Sequence, residues 1–367
     1  MCKTTVVAVA LLALMASLPA TAAPGCAAQR SRFSVHLADA TSRAEVMMPP
    51  RGRKAVALVE LFPGSDVADL DGAVTDRDGR ILSRPLLQVA ERLACAGYIS
   101  LRYDKRYVTG PTDVDRPKFD KLNGSDLVDD GVAALTEAKA AFPVLRRMPL
   151  AVFGWSEGTT VAMAVATRLP DVRAIVLMAP VVEGAAVTAQ RQWPRIGRPY
   201  LAQYASNGGL DAAAVARAGQ GGGGVSAQIF VGMFRGFRPG ETLNPLLDTN
   251  GDGPIELTEA DAVIAGWYAD NPESGLGMST TARALPGVKQ ALPALKCPVL
   301  IVQGLNDSMI DAAPAQALTG DNRVTVRVFP GLGHSLGPAT SVFADNLAPI
   351  AAAPLDAITG FLDAQFR

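Results

Sequence analysis

The sequence is short of charge, of histidine and of paired cysteine, and each shortage excludes something. Only 19% of the 367 residues are charged, with 34 basic against 35 acidic and a net charge of −1. A nucleic-acid grip needs clustered positive charge to displace counterions, so the balance argues against that class of partner. Two histidines and four cysteines, none in a Cys-x-x-Cys pair, leave no zinc-ligand set. After the first 22 residues no stretch is long and apolar enough to span a bilayer. What is abundant is apolar side chain, 49% of residues, which is enough to bury a large core and excludes intrinsic disorder.

The amino terminus reads as an address. Lys3 precedes an apolar run from Val6 to Leu18, and the small residues Ala20-Thr21-Ala22 follow. This is the order of a secretory signal, with cleavage expected after Ala22, and it predicts a periplasmic or secreted bacterial protein. Removal of residues 1–22 takes only Lys3 among the charges and leaves 33 basic residues against 35 acidic. Export permits disulfides. The remaining cysteines, Cys26, Cys95 and Cys297, allow at most one internal bridge, and the sequence does not choose the pair.

Alternation over Phe33–Leu37 predicts a half-exposed strand with a partner at Arg43–Met48. Apolar runs at Ala55–Phe62, Pro149–Phe153 and Val172–Met178 predict buried strands, the first of them buried on both faces, and Ile99–Tyr103, Val299–Gly304 and Val324–Phe329 read as further strands. Helical spacing covers Pro85–Ala96, Leu127–Ala141, Gly158–Arg168 and Ala344–Phe366. Strands alternating with helices mean an α/β fold, a mostly parallel sheet covered on both sides. The segment 181–295 is too long for a connection and predicts a cap, leaving 23–180 and 296–367 as the core. Within it, Gly221–Gly224 reads as a slack surface loop rather than a hinge.

Gly154-Trp155-Ser156-Glu157-Gly158 lies between a buried strand and a helix. A nucleophile on so sharp a turn adopts a strained backbone, and close neighbours must lack side chains. The next amide, that of Glu157, then stands at a helix start and supplies half of an oxyanion hole. Serine needs a base. His36 lies on the polar face of an early strand, whereas His334 follows the strand ending at Phe329, where an α/β catalytic base belongs. Asp307, after the strand Val299–Val302, is the expected orienting acid, with Asp311 as its competitor one turn further on. The order Ser156, Asp307, His334 is that expected of such a fold. The second oxyanion donor is expected at Ser65, in the loop after the first buried strand.

On these residues the chain resembles the α/β-hydrolase superfamily, and within it the bacterial serine-aminopeptidase-like and dienelactone-hydrolase-like branch. The matching stretches are Gly64-Ser65-Asp66, Asp76-Arg77-Asp78-Gly79, Leu101 to Tyr107, and Gly154 to Gly158. Where relatives often carry glycine, this chain has Asp66 and Tyr107. Where they often carry histidine before the nucleophile, it has Trp155. The resemblance implies hydrolysis of carboxylic esters, thioesters or related acyl compounds.

Asp248 to Glu259 matches the twelve-residue EF-hand loop. Oxygen donors recur at Asp248, Asn250 and Asp252, Gly253 permits the turn, Pro254 offers its carbonyl, Glu256 acts through water, and Glu259 chelates at a helix start. The pattern predicts bound calcium with a structural role in the cap. Taken together, the sequence predicts an exported serine esterase acting on a small-molecule acyl substrate. Two alternatives stand beside it: a peptidase or amidase using the same three residues, and a calcium-dependent binding protein on a hydrolase scaffold.

Overall fold

A computed structural model describes residues 26–76, 78–238, 241–270 and 285–367. The signal-like segment 1–22 and parts of the 181–295 insertion lie outside them. Eight strands form one sheet: β1 (Gln29–Leu37), β2 (Ala40–Met48), β3 (Leu58–Phe62), β4 (Ile99–Tyr103), β5 (Leu150–Trp155), β6 (Val172–Met178), β7 (Val299–Gly304) and β8 (Val324–Phe329). Their spatial order is β1-β2-β4-β3-β5-β6-β7-β8. β1 and β2 pair antiparallel, as does β2 with β4, and every later pair is parallel. This is the α/β-hydrolase fold. The chain leaves β3 toward β4 on one side and resumes at β5 on the other, so a crevice opens at the carboxyl ends of β3 and β5.

Local chemistry sets the helix bounds. α1 (Pro85–Ala96) starts on a proline, whose missing N–H costs nothing there, and ends at Gly97 in the left-handed region with φ of 97°. α2 (Gly124–Ala141) opens with a reciprocal cap between Asn123 and Asp126. Two apolar clusters sandwich the sheet. One packs the β strands on α2 and α3 (Gly158–Arg168), the other on α1 and the carboxyl-terminal helix α9 (Ala352–Phe366). Among the described residues no helix is long and apolar enough to cross a membrane.

Between β6 and β7 lie α4 (Ala185–Gln192), α5 (Arg198–Ala202), α6 (Ala212–Gln220), α7 (Val225–Met233) and α8 (Leu257–Asp270). They enclose a third apolar cluster, in which Trp193 stacks on Phe234 with ring centroids 5.9 Å apart. The glycine run is not slack, contrary to the sequence reading. A Cβ on Gly221 would lie 1.7 Å from the Tyr204 hydroxyl, and one on Gly224 would lie 2.1 Å from the Asp345 carbonyl oxygen. These glycines are there for close approach. A second correction concerns the last helix, which starts at Ala352 rather than Ala344. Residues 345–351 are held off the helical path by the buried Asp345 carboxylate, which takes the Leu347 N–H, and by Leu347 itself at φ of 54°.

Cys26 and Cys95 form a disulfide, and Cys297 is free. The bridge ties the start of β1 to the end of α1.

Glu60 interrupts the apolar run of β3. It is fully buried, and neither carboxyl oxygen has a hydrogen-bond partner among the described residues. Burial pushes its carboxyl well above the usual range, against a weak opposing pull from Lys139. Folding therefore favours the neutral form of Glu60, while the unfolded chain ionises it above about pH 4.5. Stability is unpenalised below that value and falls as pH rises toward the folded pKa. Glu60→Met is expected to raise unfolding free energy by about 1–3 kcal/mol, the cost of an unmade buried hydrogen bond, with a larger gain at pH 8 than at pH 4. Urea titrations of both proteins at the two pH values check it. A loss of stability at pH 8 would contradict it.

Candidate active site

Three strand ends converge. β5 runs directly into α3 with Ser156 between them at φ of 56°, its N–H bonded to the Met178 carbonyl at 2.9 Å. The flanking glycines have no room for a side chain. A Cβ on Gly154 would lie 2.2 Å from the Gly158 carbonyl, and one on Gly158 would lie 2.4 Å from the carbonyls of Phe62 and Pro63. The second contact brings the loop after β3 against the serine turn.

His334 follows β8 and is buried. Its Nδ1 lies 2.9 Å from Asp307 Oδ2, in the loop after β7. The other imidazole nitrogen, Nε2, is then left for a neighbour. Ser156 and His334 line one cavity of about 470 Å³. Trp155, in the place before the serine, donates its indole N–H to the His334 carbonyl at 3.2 Å, with its ring 5.6 Å from the imidazole. Asp311 instead caps the short helix that follows it, accepting from the Ala313 N–H at 3.1 Å. His36 is exposed beside Glu137 on the far edge of the sheet.

The electrostatics of the buried pair follow from its contacts. Burial alone would raise the Asp307 carboxyl. The His334 imidazole, the Ile310 N–H and Arg195 outweigh it and hold the group below the usual carboxylate range. Burial alone would lower His334, but the Asp307 charge and hydrogen bond, with Asp345 in support, outweigh it and hold the imidazole above its ordinary value. Gln303 also donates to Asp307 Oδ2 at 2.9 Å, and the N–H groups of Met309 and Ile310 occupy Oδ1 at 2.8 and 2.7 Å. A carboxylate so fully engaged has one orientation.

The loop Gly64-Ser65-Asp66 lines the same cavity. Lys105, almost fully buried, donates to the carbonyls of Gly64 at 2.7 Å and Asp66 at 3.3 Å, and to Glu157 Oε2 at 2.7 Å. In a trans peptide the carbonyl and the following N–H point opposite ways, so the Ser65 N–H is turned away from Lys105. One ammonium thus ties the loop after β3 to the residue after Ser156. Asp66 takes φ of 59° and Tyr107 takes φ of 68°, a region that favours glycine. The Asp66 carboxylate is matched by Arg116 at 2.7 Å. Sequence reading missed Gln303, Arg195 and Asp345, which carried no local signal; Lys105, near the active end of the sheet, is in the structural ion pair that the sequence favours for its Asp-Lys-Arg stretch.

The acidic loop in the insertion ends in a two-residue antiparallel pairing of Ile255–Glu256 with Gly209–Leu210, and α8 follows. Gly253 takes φ of 108°. Asp248 accepts from the N–H groups of Gly251 and Gly253, and Glu259 from those of Thr249, Asn250 and Glu256. Pro254 immediately precedes that pairing, and Glu256 lies within it. Among the described residues no three carboxylate, imidazole or thiolate groups gather as a ready metal cluster.

Comparison with known proteins fits this architecture. The family described as serine aminopeptidase, S33, matches residues 83–337. Among solved structures, an esterase of Pyrococcus furiosus superposes with a TM-score of 0.50 at 12% identity, covering 93% of this chain and 92% of its own. A hypothetical protein from Pseudomonas aeruginosa does so with a TM-score of 0.50 at 14% identity, covering 93% and 95%. Among curated proteins none matches.

Proposed function

The chain belongs to the serine aminopeptidase S33 family of α/β hydrolases, and we propose that it is an exported esterase that cleaves carboxylic esters or thioesters through an acyl-enzyme. The observation that carries this is His334, held by the buried Asp307, opening onto the same cavity as a serine at positive φ. In this reading Ser156 Oγ attacks the acyl carbon while His334 takes its proton. Asp307 keeps Nδ1 protonated and stabilises the imidazolium. The carbonyl becomes an oxyanion facing the N–H groups of Ser65 and Glu157, which Lys105 keeps in register. His334 then returns the proton to the departing alcohol, and water repeats the sequence to release the acid.

The cavity favours an ester over a peptide. Among the described residues that line it, Asp66 is the sole acid, and Arg116 already matches it, so no unopposed carboxylate awaits a substrate amine. Val67, Ala68, Val74, Val225, Met309 and Leu347 give the rest an apolar wall suited to an acyl chain. The test sets short and medium p-nitrophenyl esters against aminoacyl-naphthylamides. Faster turnover of the esters is expected. Faster release of naphthylamine would establish the peptidase instead, and no turnover of either would favour a binding protein.

Calcium belongs to the same proposal. The donor set of Asp248, Asn250, Asp252, the Pro254 carbonyl, Glu256 and Glu259 is all oxygen, with a turn glycine at the required place, which is the chemistry calcium selects. A bound ion would join the loop to α8 and stabilise the insertion without touching the reacting atoms. Added calcium is expected to raise Tm relative to chelator in the wild type and to have no effect in Glu259→Gln. An unchanged wild-type Tm at millimolar calcium would remove calcium from the account. Two further observations support export: the Cys26–Cys95 disulfide, a bond of oxidising compartments, and the signal-like order of residues 1–22.

A further inference from the structure

Asp345 lies outside every motif read from the sequence, yet it sits where three parts of the site meet. It is 1% exposed. Its Oδ2 accepts the Ser308 N–H at 3.0 Å, next to Asp307, and the His334 N–H at 2.8 Å. One carboxylate oxygen therefore ties the loop of the acid to the loop of the histidine. Gly333 makes room for it, since a Cβ there would lie 2.2 Å from Oδ1. The Asp345 carbonyl accepts the Val225 N–H at 3.0 Å, at the start of α7, so the insertion is seated on the same residue.

The insertion supplies an opposing charge. Arg195, between α4 and α5, donates from Nη1 to the Asp307 carbonyl at 2.7 Å, while its buried Nε and Nη2 have no partner among the described residues. Trp193 and Arg198 on either side of it both bond Asp261 of α8, which fixes the turn that carries it. The charged groups that bear on the imidazole are then Asp307 and Asp345, which favour its cation, and Arg195, which opposes it.

We propose that Asp345 is a positioning residue that locks the acid and histidine loops together, and that Asp345 and Arg195 act as opposed charges setting how readily His334 holds a proton. The inference rests on the serine-hydrolase reading for its catalytic consequence, but the charge balance is measurable without turnover.

The test uses the full chain and NMR titration of its histidines. With only two present, exposed His36 serves as an internal reference. Asp345→Asn keeps the side-chain shape and removes the charge, so the His334 titration should move to lower pH. Arg195→Met removes the opposing charge, and the titration should move to higher pH. Loosening of the site would move both variants downward, toward the value of a solvated imidazole, so opposite directions separate charge from damage. Asp345→Asn should also lower kcat for a soluble ester by about tenfold to a hundredfold with KM little changed, the loss expected of one charge-assisted hydrogen bond. If Asp345→Asn fails to fold, the upward shift in Arg195→Met carries the test alone. Shifts in the same direction, no shift in either, or an unchanged kcat in Asp345→Asn would overturn the proposal. A wild type with the stated shifts but no ester turnover would instead sink the hydrolase reading.

Discussion

Ser156→Ala is expected to lower kcat on a p-nitrophenyl ester by a factor on the order of 10⁶, the loss seen when the nucleophile of such a site is removed. The size follows from the site's construction. The proposed oxyanion donors are backbone amides that the substitution leaves in place, so binding and some electrostatic stabilisation should survive while the covalent route disappears. KM should change little. Tm should stay close to that of the wild type, because the contact that shapes the turn is backbone, the Ser156 N–H on the Met178 carbonyl, and the flanking glycines are untouched. A variant that loses activity only in proportion to lost folded protein would contradict this account, as would one that keeps a hundredth of the wild-type rate. The comparison is made by pairing kcat with calorimetric unfolding.

Asp307→Asn should cost a factor on the order of 10⁴ in kcat at pH 7. The substitution keeps volume and removes charge. The acid accepts from Gln303, Met309 and Ile310 as well as meeting His334 Nδ1, so an amide in its place puts a donor toward groups that already donate. The imidazole is then free to present the wrong tautomer to the serine. Two further effects follow from its electrostatics. Asp307 holds His334 above its ordinary pKa against burial, so its removal should carry the acid limb of kcat/KM to lower pH. The same substitution weakens a charge-assisted hydrogen bond whose partners are both buried, so stability should fall as well. A pH–rate profile with an unmoved acid limb would argue that some other group governs the histidine.

Much of the frame was legible because most of the strands that carry the site are buried, the half-exposed edge strand β8 being the exception. Apolar-rich runs marked β4, β6, β7 and β8 to the residue, and left β3 and β5 within a few positions. The serine turn was legible for a steric reason. Gly154 and Gly158 have backbone within 2.4 Å of any added Cβ, and only glycine permits that. The order of serine, acid and histidine followed from their places after β5, β7 and β8 of the parallel sheet.

What escaped was contact between a side chain and distant backbone. Asp345 lay in a stretch with helical apolar spacing, and nothing local signals that its carboxylate takes N–H groups from residues 308 and 334. The glycines at 221–224 looked slack because composition shows their freedom and not their neighbours, which are Tyr200, Tyr204 and Asp345. Asp66 stood out only as a departure from glycine, because Arg116, fifty residues away, does not advertise itself as its partner. Lys105 was visible in a recognisable stretch, but its work depends on two carbonyls of another loop.

The most direct test is covalent. The wild-type protein is incubated with a fluorophosphonate, and the adduct is mapped by mass spectrometry. A single phosphonylated residue at Ser156, with labelling slowed by a competing ester and abolished in His334→Ala, is the expected result. Ester turnover with Ser156 unlabelled, or labelling that persists undiminished without His334, would contradict the assignment of these residues to one catalytic relay.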